Sequence, residues 1–393
     1  MNLATLLRHR RVKSAARGTV RFLRWAAPTQ KHVVVTGFPD SEGNSVEVIR
    51  ALLEQTSKDV VWLTESSSRE QALRILGPVE GADRLTVLPK RSGLAFGRYL
   101  TARLTFFTHG LYLSPVPPRR KPVVNLWHGD GPKAPLSDPD TVRPRATYLV
   151  SGTRLFGDIK ADFLHVPVDR LLVTGNPRWN QFRNPATDDE LRTLGIDPTR
   201  PFLLYMPTFR SSISIGSRSG WSDGSTADHT ANADMLAGLV AGARTAEAQV
   251  VVKPHPLDAE AYDVSGALTV TNGQLGAAGV LLYRLLARAA GLVTDYSSVW
   301  TDFLVLDKPL GFVLGDLDAY ASGPRGLNVD DVRALLPGPA LYTPVACEEF
   351  AAQAVADSPQ MKEMRRESAR RIGLAATSGS ATVGLIGELR LSP

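Results

Sequence analysis

Two histidines in this sequence follow short apolar runs, where strands of a parallel sheet would end. His128 comes directly after such a run in the segment LWHGDGPK, with Gly129 and Lys133 in the same loop. His255 stands beside Lys253 in VVKPHP. A histidine placed in this way could accept a proton from an attacking hydroxyl, and a lysine–histidine pair suits a phosphate better than a metal ion. The alternative for each segment is a structural role at a strand end or turn.

A third segment, GLVTDYSSVWTDF, is typical of a strand that runs into a helix. Ser297 or Ser298 would cap the helix, whose N-terminal N–H groups favour a diphosphate. Asp295 is expected to orient the turn, and Asp302 follows one helical turn later. Ordinary helix capping and a surface position for Asp302 are the structural alternatives.

Arginines stand at two further strand ends. Arg210 closes MPTFR, and Arg178 lies with Asn180 in GNPRWNQF. A guanidinium group binds phosphate in bidentate geometry, although solvated surface arginines are commoner. The sequence contains no Walker A or HExxH motif, and no site residue belongs to a set of ligands with metal-binding spacing. Together the segments favour phosphate-group chemistry on a nucleotide-activated donor.

The composition indicates what kind of molecule positions these residues. Of 393 residues, 45 are Lys or Arg and 39 are Asp or Glu, a net charge of +6, and 43% are hydrophobic. These values exclude disorder, collagen and coiled coil as descriptions of the whole chain, and the length favours two domains. The single cysteine, Cys347, excludes a disulfide-stabilised secreted fold. Since no apolar run is long enough to span a membrane and no signal-peptide pattern is present, we expect the protein to stay in the cytoplasm.

Short β-branched runs alternate with helical patterns along most of the chain. This alternation predicts α/β structure, with two doubly wound, Rossmann-like domains whose strand ends face a shared cleft. The expected organisation is a basic segment 1–31, a first domain 32–182, a linker 183–200, a second domain 201–359, and a C-terminal helix and tail 360–393.

The N-terminal segment accounts for the net positive charge, since the rest of the chain sums to −2. Residues 1–31 carry eight Lys or Arg and no acid. On a helical wheel Leu3, Leu7, Phe22 and Trp25 fall near one side, although Arg11 interrupts it, while Lys13, Arg17 and Arg24 lie away from it. This pattern favours a helix lying on an anionic bilayer surface. A solvated basic leader and a tail attracted to RNA are the alternatives.

Six segments follow one another between about residues 120 and 330: LWHGDGPK, GNPRWNQF, MPTFR, VVKPHP, TDYSSVWTDFLVLDKPLGF and DLDAYASGPRGL. Their order resembles the CDP-glycerol glycerophosphotransferase family, the teichoic acid primases and polymerases. That family typically shows WHGTPLK, GxPRND, APTWR, a His-Pro turn, TDYSSxxFD and a late ExYxxxRG segment. This chain departs from the pattern at GDGPK and at Trp179-Asn180, on the side expected to meet the acceptor.

The resemblance implies a GT-B-like architecture and a polyol-phosphate transferase. An acceptor hydroxyl would attack the β-phosphorus of CDP-glycerol or CDP-ribitol, release CMP and leave a phosphodiester on a lipid-linked teichoic acid or capsule-type polymer. His128 and His255 match the family's two essential histidines. We expect His128 to be the base and His255 to stabilise the diphosphate, although the roles could be exchanged.

The same resemblance distributes the other site residues between the two domains. The residues expected to hold the donor in the second domain are Arg210, Lys253, Thr294, Ser297, Ser298, Arg325 and Gly326. The residues expected on the acceptor side, or in support, are Gly129, Lys133, Arg178, Asn180, Asp295 and Asp302.

A peripheral protein on the cytoplasmic face of the membrane is the expected setting, with no nucleic acid partner. No cofactor is assigned, and a divalent metal stays open. Two other functions also stay open: a GT-B glycosyltransferase that uses a nucleotide sugar, and a non-catalytic membrane-associated protein that binds a polymer. The presence of both His128 and His255 weighs against the non-catalytic binding protein.

Overall fold

Every strand in the described residues belongs to one of two sheets, and all neighbouring strands in both sheets run parallel. The computed structural model describes residues 10–134, 143–208, 226–254, 264–322, 326–376 and 380–391, except for the side chains of residues 10, 11, 226–232 and 319. The chain divides into two compact units. Unit 1 comprises Met1–Gly129, Ser137–Gln181 and Ala375–Pro393, and unit 2 comprises Asp130–Leu136 and Phe182–Leu374.

The sheet of unit 1 has seven strands in the order β3-β2-β1-β4-β5-β6-β7. They are β1 (Gln30–Thr36), β2 (Val60–Thr64), β3 (Leu85–Pro89), β4 (Ala102–Phe107), β5 (Val123–Asn125), β6 (Tyr148–Val150) and β7 (Leu171–Leu172). The central strands are continuous buried runs, as expected where both faces of a parallel sheet are covered. The strand order reverses between β1 and β4, which is where such sheets bind ligands.

The sheet of unit 2 has six strands in the order β10-β9-β8-β11-β12-β13. They are β8 (Phe202–Met206), β9 (Gln249–Val252), β10 (Ala267–Thr269), β11 (Gly291–Thr294), β12 (Leu310–Val313) and β13 (Ala340–Leu341). Here the order reverses between β8 and β11. The two sheets confirm the expected α/β fold class.

Helices connect most of the strands. In chain order they are α1 (Arg10–Ala26), α2 (Gly43–Gln55), α3 (Arg69–Leu76), α4 (Gly93–Thr101), α5 (Arg154–Leu164), α6 (Asp188–Thr193), α7 (Thr226–Thr245), α8 (Asn272–Ala277), α9 (Leu282–Arg288), α10 (Val299–Phe303), α11 (Leu317–Ser322), α12 (Pro344–Ala354), α13 (Pro359–Ile372) and α14 (Ala381–Glu388). Residues 183–200, expected as a linker, contain α6 and belong to unit 2. In the C-terminal segment α13 belongs to unit 2 and α14 to unit 1.

The basic side of α1 packs on unit 1 instead of facing outward. Arg24 is fully buried, with its guanidinium 4.3 Å from the centre of the Tyr99 ring and 3.0 Å from Thr105 Oγ1. Arg17 donates hydrogen bonds to the carbonyl oxygens of Leu113 and Ser114, each at 2.7 Å. Backbone carbonyl groups, a hydroxyl group and an aromatic ring of unit 1 thus bind these two arginines.

The apolar side of α1 is exposed. Phe22 and Trp25 are 61% and 71% accessible, and their ring centres lie 6.1 Å apart. In the part of the chain that the structure describes, no helix combines the length and the apolar character that crossing a membrane requires.

Candidate active site

His128 lies three residues beyond β5, at the carboxyl edge of the unit 1 sheet, and its side chain is exposed. The apolar run before His128 continues to Trp127, but strand β5 already ends at Asn125. Its side-chain Oδ1 accepts a hydrogen bond from the Trp127 N–H at 2.9 Å, and Trp127 adopts a positive φ of 53°. The chain therefore turns directly after β5, and His128 follows this turn.

A buried polar cluster holds the backbone on either side of the His128 ring. Arg178 is 6% exposed, and its Nη1 donates a hydrogen bond to the carbonyl oxygen of His128 at 3.0 Å. Asn44 accepts from the N–H of Arg178 at 3.1 Å and donates to the carbonyl oxygen of Trp127 at 3.3 Å. Arg178 therefore supports the histidine loop from inside the unit, and it is not a surface clamp for phosphate.

The same cluster contains a buried carboxyl. Glu42 Oε1 lies 3.8 Å from Arg178 Nη1, and both side chains are less than a tenth exposed. Burial raises the pKa of Glu42, while the charge of Arg178 and the N–H of Ser45 act in the opposite direction. One nitrogen of the guanidinium, Arg178 Nη1, thus lies near both the Glu42 carboxyl group and the His128 carbonyl oxygen.

Asn180 has a structural position in unit 1. Its Oδ1 accepts hydrogen bonds from Ser380 Oγ at 3.0 Å and from the Ala381 N–H at 3.1 Å. These contacts hold the first turn of α14. They use the amide oxygen of Asn180, a residue that was expected on the acceptor side.

In unit 2 a buried carboxylate fixes the turn after β11. Asp295 Oδ2 accepts hydrogen bonds from Thr208 N and Thr208 Oγ1 at 2.7 and 2.8 Å, and Oδ1 accepts from the Ser297 N–H at 2.9 Å. Since Thr208 follows β8, this carboxylate links the ends of the two strands between which the order reverses.

Two other residues assigned from the motif are buried by the fold. The Thr294 hydroxyl donates to the carbonyl oxygen of Met206 at 2.6 Å, and Asp302 Oδ2 accepts from the Tyr283 hydroxyl at 2.7 Å. Both Thr294 and Asp302 are fully buried. Thr294 therefore joins β11 to β8 instead of meeting a phosphate, which corrects its expected role. Asp302 is not a surface residue, because Tyr283 covers it.

Three more polar residues assigned from the sequence are described at this edge, namely Ser297, Ser298 and Lys253. Ser297 and Ser298 are half-buried. Ser298 precedes α10, a helix of five residues, and makes no capping bond with its side chain. Lys253 follows β9, is 4% exposed, and donates from Nζ to the carbonyl oxygen of Pro254 at 2.9 Å. Burial lowers the pKa of Lys253 to about 8.

The loop after His128 enters unit 2 and packs against this turn. Gly129 is the last residue of the first stretch of unit 1. Thr301 Oγ1 donates to the carbonyl oxygen of Asp130 at 2.8 Å, and Lys133 Nζ lies 5.7 Å from the centre of the Tyr296 ring. Gly326, whose φ is 65°, accepts from Ala134 N at 3.1 Å through its carbonyl oxygen. This loop and the turn after β11 thus pack against each other within unit 2.

Three residues assigned from the sequence, Arg210, His255 and Arg325, lie outside the described residues. Within the residues that the structure describes, no group of three or more His, Cys, Asp or Glu side chains is placed to hold a metal ion.

His109, which lies two residues beyond β4, was not predicted from the sequence as a site residue. Its ring stacks on that of His128, with 4.4 Å between ring centres and 15° between planes. A signal was present, because FFTHG repeats the pattern of NLWHG: an apolar run, then histidine and glycine.

Comparison with known proteins identifies the family. The sequence model of CDP-Glycerol:Poly(glycerophosphate) glycerophosphotransferase matches residues 22–373. The chain belongs to this glycerophosphotransferase family. The match includes the six segments and most of both units, and it confirms the resemblance described from the sequence.

The sequence also aligns with parts of two longer relatives. A teichoic acid glycerol-phosphate transferase of Staphylococcus aureus is 29% identical over 259 residues, which are 58% of this chain and 60% of that protein. A teichoic acid poly(glycerol phosphate) polymerase of Staphylococcus epidermidis is 27% identical over 248 residues, 56% of this chain and 32% of that protein. The alignments thus span about a third to three-fifths of these relatives.

Solved structures show the same fold. The wall teichoic acid polymerase TagF aligns over 98% of this chain and 96% of that chain, with 19% identity and a TM-score of 0.71. A TagF variant soaked with CDPG aligns over 98% and 95%, with 17% identity and a TM-score of 0.71. The GT-B-like fold class of this glycerophosphotransferase family member is thereby confirmed.

Gly131 allows the loop after His128 to pack on the turn after β11, and its substitution tests this contact. A Cβ at Gly131 would lie 2.8 Å from Ser298 Cβ and 2.9 Å from Ser298 Cα. Because backbone must then move, we expect Gly131→Ala to cost about 1–3 kcal/mol and lower the melting temperature by several degrees. The control is Gly276→Ala in α8, where a Cβ meets open space. Equal melting temperatures for the two variants would contradict this packing.

Proposed function

We propose that this protein transfers glycerol phosphate from CDP-glycerol to a hydroxyl group of a polyol-phosphate polymer. The observation that carries the proposal is the placement of His128, an exposed imidazole at the end of β5 whose backbone is held by the buried Arg178. It is supported by the family to which the chain belongs and by relatives named as glycerol-phosphate transferases and polymerases.

His128 acts as the base in the proposed reaction. It accepts the proton of the acceptor hydroxyl while the hydroxyl oxygen attacks the β-phosphorus of CDP-glycerol. The bond from that phosphorus to the oxygen bridging the two phosphates breaks, and its electron pair leaves with CMP. The product is a phosphodiester, and the proton remains on His128 until solvent removes it.

The donor diphosphate is assigned to the polar edge of unit 2. Lys253 supplies a positive charge in a largely buried setting, and the hydroxyl groups of Ser297 and Ser298 supply hydrogen-bond donors. Arg210, His255 and Arg325 are assigned to the same role from the sequence motifs alone. Asp295 acts indirectly, because it fixes the turn that presents Ser297.

Release of CMP tests the transferase proposal. With CDP-glycerol and a synthetic lipid-linked glycerol-phosphate acceptor, we expect acceptor-dependent CMP release that falls by about 10²–10⁴ in His128→Ala. His255→Ala should also be strongly impaired. His165→Asn is the control, since His165 is an exposed histidine with a positive φ that asparagine tolerates.

Parallel reactions with CDP-ribitol and with nucleotide sugars define the outcomes. Release only from CDP-ribitol would change the polyol and keep the chemistry. Sugar transfer would favour a glycosyltransferase, and inactivity with every donor would favour a binding protein.

The pH dependence of donor binding tests the role of Lys253. Its pKa of about 8 means that the charge is present at pH 7 and is lost as the pH rises above 8, whereas the diphosphate of the donor keeps its charge throughout. We expect CDP-glycerol to bind about tenfold more weakly at pH 9.5 than at pH 7, measured by calorimetry. Lys253→Arg should remove this loss because arginine stays protonated. The same pH dependence in Lys253→Met would show that another group causes it.

We assign α1 to contact with an anionic membrane surface. Phe22 and Trp25 form an exposed aromatic pair, and Arg21 is exposed beside them. Aromatic side chains flanked by cations suit the interface between headgroups and acyl chains. This contact would bring the protein to a lipid-linked acceptor on the cytoplasmic face.

Co-sedimentation with vesicles of phosphatidylcholine and phosphatidylglycerol tests the membrane contact. We expect the double variant Phe22→Ser, Trp25→Ser to bind about tenfold or more weakly, because two aromatic side chains no longer leave water. Val345→Ser removes a similarly exposed apolar side chain on α12 and serves as the control. Equal binding by the wild type and the double variant would rule out α1 as the contact.

A further inference from the structure

His109 and His128 occupy equivalent positions on neighbouring strands. Each follows its strand, β4 or β5, at the carboxyl edge of the unit 1 sheet, and these two strands pair directly. Their rings are nearly parallel, 4.4 Å apart. Trp127 also stacks on His128, with 4.5 Å between ring centres and 26° between planes. The imidazole of His128 is therefore held by two rings, of which His109 comes from a separate strand.

The orientation of His109 is fixed by its own neighbours. Thr108 Oγ1 accepts a hydrogen bond from the Phe38 N–H at 3.3 Å and lies 2.9 Å from His109 Nδ1. The Thr108 hydroxyl therefore contacts both the Phe38 backbone and the His109 ring, and it holds the Nδ1 edge of that ring in place. The Phe38 ring meets the His109 ring edge to face, with 5.8 Å between centres.

The surroundings of His109 disfavour its protonated form. The side chain is exposed, yet desolvation by the groups around the ring and, second to it, the charge of Lys90 lower the pKa of His109 to about 4. Lys90 is itself bound to Glu65 at 2.7 Å. On the His128 side, Arg178 and its partner Glu42 act at the backbone carbonyl.

A neutral aromatic ring beside a base has a specific effect on proton transfer. When His128 accepts a proton it becomes an imidazolium, and a cation is attracted to the face of a neutral aromatic ring. A protonated neighbour would repel it instead. Because the pKa of His109 is lowered to about 4, its ring is uncharged at neutral pH and its face is available to a cation on His128.

We infer that His109 is a positioning residue for His128: its stacked ring fixes the plane of the His128 imidazole and stabilises the imidazolium that forms when His128 takes the acceptor proton. This inference rests on the proposed function of His128 as the base. His109 does not itself touch the reacting atoms.

Three substitutions separate the ring of His109 from its polar contact. His109→Phe keeps a stacking ring, and His109→Asn keeps a polar partner for Thr108 without an aromatic ring. His109→Ala removes both. His165→Asn again controls for the loss of an unrelated exposed histidine. Thermal melting checks that each variant is folded, and the asparagine variant serves wherever alanine prevents folding.

The first measurement is the NMR titration of the His128 Cε1–H signal in the full-length protein without substrates. We expect the titration midpoint to fall by about 0.5–1 pH unit in His109→Asn and His109→Ala, a three- to tenfold loss of proton affinity. In His109→Phe and His165→Asn it should stay at the wild-type value. A midpoint unmoved in the asparagine and alanine variants would overturn the inference.

The second measurement is CMP release as a function of pH. We expect kcat at neutral pH to fall about tenfold in His109→Asn and His109→Ala with little change in the KM for the acceptor, and to recover in His109→Phe. If the midpoint shifts but the wild-type protein releases no CMP, the ring interaction stands and the proposed function fails. If CMP is released and the phenylalanine variant is as slow as the alanine variant, ring stacking is not the cause and the inference is wrong.

Discussion

The carboxylate of Asp295 is the interaction on which the polar edge of unit 2 depends. Strands β8 and β11 pair side by side, and their following segments leave the sheet where the strand order reverses. Such a point opens a space at the carboxyl edge, and the space is useful only if the diverging segments are held. Asp295 holds both, since it accepts hydrogen bonds from Thr208 after β8 and from Ser297 after β11. A buried carboxylate is tolerated there because N–H and O–H donors replace water.

In unit 1 a buried group of opposite charge holds the loop after β5. The buried Arg178 reaches the carbonyl oxygen of His128 through Nη1, and Glu42 Oε1 lies 3.8 Å from the same nitrogen. A buried guanidinium that lost these partners would be strongly destabilising, so the contact fixes the loop tightly. The main chain and the side chain of His128 are thus restrained by different contacts. Hydrogen bonds from Arg178 and Asn44 hold the main chain at residues 127 and 128, and stacked rings hold the imidazole.

The strands could be predicted from the sequence because strands buried on both faces are unbroken apolar runs. For the same reason His128 and Lys253 could be placed at strand ends. The roles of Arg178, Asn180 and Thr294 could not be predicted, since each depends on a partner that only the folded chain brings near. Asn180, for example, binds the start of α14 some 200 residues later.

His109 shows a different limit of sequence reasoning. The FFTHG segment carried the same local pattern as NLWHG, so its position at a strand end was accessible. Its importance comes from the pairing of β4 with β5, which sets two histidines face to face. Pairing order in a parallel sheet follows from the crossover connections, and no local pattern encodes it.

The return of the chain to unit 1 has a consequence for its biosynthesis. Residues 375–393 complete unit 1, and the first turn of α14 binds Asn180, which lies in the second stretch of that unit. A ribosome must therefore finish the whole of Phe182–Leu374 before the last helix of unit 1 exists. Throughout that interval Asn180 lacks its partners at the start of α14, so unit 1 can be completed only after unit 2 has been translated.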